Sequence, residues 1–107
     1  MQTEIKDISK TINNSAALMI YYFNPGCVAC NGLRPKVEKM VSEMFPEIKI
    51  LSVDASAKPE LAFSTGVYSA PTILVFFEGR EYIRESRYIS VQELEAKISR
   101  YYYMLFS

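Results

Sequence analysis

Eight apolar residues in succession, Ala16 to Phe23, stop at Asn24-Pro25-Gly26, and the only two cysteines of the chain follow at once as Cys27-Val28-Ala29-Cys30. A run this short and this uniformly apolar reads as a strand covered on both faces, which places it centrally in a sheet with helices on each side. Beyond the cysteines, Leu33, Val37, Met40, Val41 and Met44 recur along one face of a helix expected over 31–44. Cys27 is thereby expected at a strand-to-helix junction, its sulfur near the helix N-terminus. Unpaired N–H groups and the helix dipole favour an anion there and can lower a cysteine pKa from about 8.5 into roughly the 3.5–7.5 range. Cys30 falls one turn later on the same side, close enough to form a disulfide with Cys27. The chemistry suggested is reversible thiol–disulfide exchange.

The remaining segments arrange themselves around that strand. Ile5, Ile8 and Ile12 give 4–14 a helical stripe that ends at Asn13-Asn14-Ser15. Pro35 lies inside the cysteine helix, where it removes one backbone hydrogen bond and kinks the axis. Phe45-Pro46-Glu47 closes that helix. Ile48 to Val53 reads as a second strand, parallel to the first if a helix crosses between them. Pro59 suits the first turn of a short helix that Gly66 ends. Ala70-Pro71-Thr72 leads into the apolar strand Ile73 to Phe77, and Glu78-Gly79-Arg80-Glu81 has the length and glycine of a hairpin turn. Residues 81–88 follow as a charged edge strand. Ser90-Val91-Gln92-Glu93 is a capping box for a last helix with Val91, Leu94, Ile98, Tyr101 and Leu105 as its stripe. The order α-β-α-β-α-β-β-α describes a three-layer α/β domain over 1–107.

Several functions are disfavoured by what the chain lacks. It has no histidine, so no Ser-His-Asp or Cys-His nucleophile system can form and no imidazole can complete a metal site. Twelve basic residues balance twelve acidic ones, which gives no electrostatic reason to expect nucleic acid or an anionic membrane as partner. No apolar run approaches the roughly 20 residues of a membrane span, and the first seven residues are unlike a signal peptide. A cytoplasmic location is the expectation, and there a Cys-x-x-Cys pair suggests redox or metal chemistry. On the residues alone two other readings stay open, a pair of reduced core thiols and half of a zinc site completed by a second chain.

Order and motifs together resemble the thioredoxin family over essentially the whole chain. The resemblance is carried by Cys27-Val28-Ala29-Cys30 at the strand–helix junction, Pro35 in the helix, Ala70-Pro71-Thr72 before an apolar strand, and the Phe77-Glu78-Gly79-Arg80 turn. It implies a thioredoxin-like α/β/α sandwich with a central mixed sheet and a redox-active Cys27–Cys30 disulfide, with no other cofactor. Cys27 would attack a substrate disulfide and Cys30 would resolve the mixed disulfide. Gly26, Val28 and Ala29 beside the cysteines would contact substrate, together with Ala70 and a cis Pro71. The implied partners are protein disulfides and a reductase that supplies electrons.

This chain also departs from the family. Gly26 stands where a thioredoxin has Trp, and Val28-Ala29 replaces Gly-Pro. The buried acid beneath the second cysteine falls on Tyr21, and its lysine partner on Ile50 or Lys49. A phenol with a pKa of about 10 is a poorer base near neutrality than a carboxylate. A non-catalytic thioredoxin-like binding module is therefore the alternative expectation. The terminal Tyr101-Tyr102-Tyr103-Met104-Leu105-Phe106 carries more aromatic surface than one stripe uses, which suggests a partner or dimer face.

Overall fold

The computed structural model describes residues 2–106, the side chains of residues 2–6 excepted. Helix α1 (Gln2–Asn14) precedes strand β1 (Ala17–Phe23), then α2 (Val28–Met44), β2 (Lys49–Asp54), α3 (Pro59–Ser64), β3 (Thr72–Phe77), β4 (Arg80–Ser86) and α4 (Val91–Phe106). The sheet order is β2-β1-β3-β4. α2 crosses between β1 and β2, so those two run parallel. β3 lies antiparallel to β1, and the hairpin returns β4 antiparallel to β3. The charged strand is thus at an edge, and the apolar run is paired along both its sides.

Period-two alternation sends the residues of β1 into two separate cores. Ala17, Met19 and Tyr21 join Ile73, Val75 and Phe77 of β3 against Val37, Met40, Val41, Leu94 and Ile98. Leu18, Ile20 and Tyr22 join Leu74 and Phe76 against Ile8, Leu61 and Ala62. One face is therefore covered by α2 and α4, the other by α1 and α3. The helix stripe of α1 is confirmed at Ile8 and Ile12, while the side chain of Ile5 lies outside the described residues. No helix among the described residues is long and apolar enough to cross a membrane.

Two helix ends differ from the periodic reading. At the end of α2, Met44 is exposed and the capping residue Phe45 is fully buried instead. At the end of α4, the buried set is Leu94, Ile98 and Tyr102, whereas Leu105 is exposed and Tyr101 only half-buried. One contact explains both. The Phe45 ring meets Tyr102 edge-on with centroids 5.0 Å apart. The Tyr102 hydroxyl, which still needs a partner, accepts the Glu47 N–H at 3.3 Å.

Turns and caps follow local chemistry. The Glu93 N–H donates to Ser90 Oγ at 3.2 Å and caps α4. Glu78 (φ 52) and Gly79 (φ 83) are both left-handed, as a two-residue hairpin turn requires. Arg84 of β4 ties the edge to the end of α3, donating to the Gly66 carbonyl at 3.0 Å and the Thr65 carbonyl at 2.8 Å.

Candidate active site

Asn24-Pro25-Gly26 turns the chain out of β1, and the Cys27 N–H closes that turn on the Asn24 carbonyl at 3.0 Å. Cys27 is the N-cap of α2, with extended backbone (φ −88, ψ 103), and its Sγ accepts the Cys30 N–H at 3.0 Å. The sulfur thus occupies the place of a capping oxygen, where a thiolate would gain both the hydrogen bond and the helix dipole. Cys27 and Cys30 are joined as a disulfide with Cα atoms 5.2 Å apart. The two sulfurs are unequal: Cys27 is partly exposed, whereas Cys30 is completely buried.

The flanking residues named from the sequence surround this pair. Gly26 and Ala29 are exposed and Val28 is 85% exposed. A Cβ added at Gly26 would meet no atom within 4 Å, so the approach over it is open. The Ala70–Pro71 peptide is cis. Pro71 is buried and Ala70 half-buried, and the Thr72 hydroxyl braces their loop by donating to the Ser69 carbonyl at 2.7 Å. Ala29, Leu33 and Pro71 line a groove of about 440 Å³ with Arg87, Tyr88, Ile89 and Ser90. The last four belong to the segment joining β4 to α4, where the sequence motifs mark Ser90 as a helix cap and none of the four as a site residue. One signal for it exists: Ile89 precedes the Ser90 cap at the position of a hydrophobic staple, which leaves Tyr88 with no packing role.

Beneath the pair, the Tyr21 hydroxyl donates to the Cys30 carbonyl at 3.0 Å. Burial raises the Tyr21 pKa above 10.0, against a smaller lowering by Arg34, so the phenol stays protonated and keeps that bond near neutrality. Lys49 is exposed and opposite Leu18, while the β2 partner of Tyr21 is Ser52. Ile50 packs into the α2/α4 core. Neither supplies Tyr21 with a cationic partner. The nearby Arg34 guanidinium lies 4.6 Å from the Phe23 ring centroid and donates to Glu38 at 3.0 Å.

On the opposite face the Tyr22 pKa is also raised by burial, and its hydroxyl shares a 2.6 Å hydrogen bond with Thr65. Groups with raised pKa stabilise the fold fully below their unfolded value, about 10, and that contribution is lost as pH rises through the folded values. The expected result is a stability that declines above about pH 10, and less steeply in Tyr21→Phe/Tyr22→Phe than in the parent. Denaturant titrations at a series of pH values check this, and equal slopes would refute it.

A helix N-cap disulfide with one accessible and one buried sulfur, on a helix whose Ala29 and Leu33 share a groove with a proline loop, is the site of a dithiol oxidoreductase. The Thioredoxin family profile matches residues 2–100. Thioredoxin-like protein YdfQ of Bacillus subtilis (strain 168) is 35% identical over 83 residues, covering 78% of this chain and 73% of that one. Protein disulfide-isomerase A4 of Homo sapiens is 30% identical over 80 residues, 72% of this chain but 12% of that larger protein. Among solved structures, oxidised mitochondrial thioredoxin 3 of Saccharomyces cerevisiae superposes with a TM-score of 0.78 at 19% identity, covering 90% of this chain and 89% of that one. The chain belongs to the thioredoxin family, and its chemistry is thiol–disulfide oxidoreduction.

Proposed function

We infer that the protein reduces disulfides of protein substrates, with Cys27 as the attacking thiol and Cys30 as the resolving one. The observation that carries this is the difference in access between the sulfurs, since only Cys27 reaches solvent. In the reduced form the Cys27 thiolate attacks one substrate sulfur and expels the other as a thiolate, which takes a proton from water. Cys30 then loses its proton and attacks Cys27 Sγ. The second substrate thiol departs, leaving the Cys27–Cys30 disulfide, and two electrons have passed to the substrate.

Gly26, Val28 and Ala29 form the rim over which substrate approaches, while Ala70 offers main-chain atoms beside Pro71. Tyr21 does not serve as the base for Cys30, because its proton is held on the Cys30 carbonyl and burial raises its pKa. The Cys30 proton ends on the departing substrate thiol. A separate dithiol reductase restores the couple, and a reducing compartment such as the cytoplasm sets the direction.

The test is the Cys27–Cys30 reduction potential against glutathione, with dithiothreitol-driven reduction of a disulfide-bonded protein. A potential near about −270 mV with turnover supports a reductase. A value near about −120 mV would make the protein an oxidant and overturn the reading.

A further inference from the structure

We propose that the end of α4 is a self-association face through which two copies of this chain form a symmetric dimer, with both disulfides away from the contact. Leu94, Ile98 and Leu105 fall on one side of the helix, since four residues make about one turn and seven about two. Leu94 and Ile98 are completely buried, whereas Leu105 is exposed. The core-facing stripe of α4 thus runs one turn past the core it serves.

Around that overhang the last turn is apolar on every side. Met104 is 73% exposed and Tyr103 51%, while Met44, Leu105 and Phe106 lie between 36% and 39%. No residue from 101 to 106 carries a charge. A helix apolar all round belongs in a buried setting. The Tyr103 ring lies 6.1 Å from Phe45 and the Phe106 ring 4.8 Å from Tyr102, so the patch joins the end of α4 to that of α2.

The patch is remote from the chemistry. α2 begins beside Cys27 and runs 17 residues to Met44, a length of about 25 Å. α4 starts after Arg87, whose N–H is bonded to the Pro71 carbonyl, and its far end is held by the bond between Tyr102 and Glu47. Both helices therefore run from the active-site end to the opposite pole, and a copy bound there leaves Cys27 open.

Area and charge favour a second copy as the occupant. At about 200 Å² per large side chain, the five residues leave roughly 450–500 Å² in water. Packed against its own image, this surface and a polar rim bury about 1,000 Å² or slightly more, the least that a specific contact needs. Twelve basic and twelve acidic residues leave no net charge, so two copies meet without mutual repulsion. The exposed Glu43 and Glu47 border the patch at the end of α2, which disfavours an anionic membrane surface. Flexible methionines and a tyrosine that keeps its hydroxyl at the rim suit a surface of this kind.

Sedimentation equilibrium of the whole chain over roughly 1 to 500 μM is the test. The mass should rise from 12.2 kDa toward twice that value. Met104→Glu should raise the dissociation constant at least about tenfold, because it sets two like charges in one dry contact. Phe63→Glu, at an exposed apolar residue of α3, should leave the constant unchanged. A mass of one chain throughout overturns the proposal, as does a dimer that Met104→Glu leaves intact or that Phe63→Glu weakens equally. Flotation of a monomeric protein with vesicles of phosphatidylcholine and phosphatidylserine would assign the patch to a membrane and overturn it too.

Discussion

Cys27→Ser is expected to abolish disulfide reduction, by about a thousandfold or more, because it removes the nucleophile outright. Cys30→Ser should instead stop the reaction half-way. Its Cys27 still attacks, but the buried position behind it holds a hydroxyl that cannot displace a sulfur, and a covalent adduct with substrate accumulates. The two phenotypes differ because of the burial asymmetry across one helical turn. Non-reducing electrophoresis and mass spectrometry of the Cys30→Ser protein after exposure to a disulfide-bonded substrate read this out directly. Turnover retained in Cys27→Ser would refute the assignment of the attacking thiol. If adducts formed on Cys30 of the Cys27→Ser protein at the same rate as on Cys27, the order of the two steps would be wrong.

The second large effect concerns stability. Phe45→Ala should destabilise the fold by about 3–5 kcal/mol, the range for a buried phenylalanine whose site cannot collapse. For a domain of this size that lowers the melting temperature by roughly 15 °C or more. Phe45 is fully buried where α2 ends, and its ring stands against both Tyr102 and Tyr103 of α4. Its loss removes the apolar partner of Tyr102 and loosens the hold of α4 on the end of the cysteine helix. Phe106→Ala on the same helix is the comparison: that ring is 36% exposed and also touches Tyr102, with centroids 4.8 Å apart. It should cost about 1 kcal/mol, within the range for one partly exposed aromatic contact. Thermal melts of both variants check the contrast, and similar losses in the two would show that the Phe45 pocket is not the anchor.

Element order and strand placement were legible because β1 leaves no ambiguity: an apolar run too short for a membrane, stopped by Pro-Gly, has one economical place in an α/β domain. The cysteine cap was legible for the same local reason. What escaped was decided by residues far apart in the chain. Aromatic residues at 101, 102, 103 and 106 fit more than one helical stripe, and only the Phe45 ring, more than fifty positions away, selects Tyr102. Spacing brought Tyr21 to the position beneath Cys30. It did not reveal that its hydroxyl binds a carbonyl rather than the sulfur, because that depends on how α2 lies across the sheet. Arg87 carried no glycine signature for its left-handed backbone, and its conformation is imposed by the bond to Pro71. Tyr88 therefore passed as ordinary edge-strand sequence.

The reacting sulfurs and the proline loop come from stretches of chain some forty residues apart, yet both are referred to adjacent points on one strand. Tyr21 reaches through one face of the sheet to Cys30, and Tyr22 reaches through the other to Thr65, just upstream of the proline loop. β1 is paired along both edges and buried on both sides. Both the cysteine helix and the segment leading to the proline loop are thus tied to one strand by hydrogen bonds. The pair of tyrosines works as a common origin from which both halves of the machine are measured.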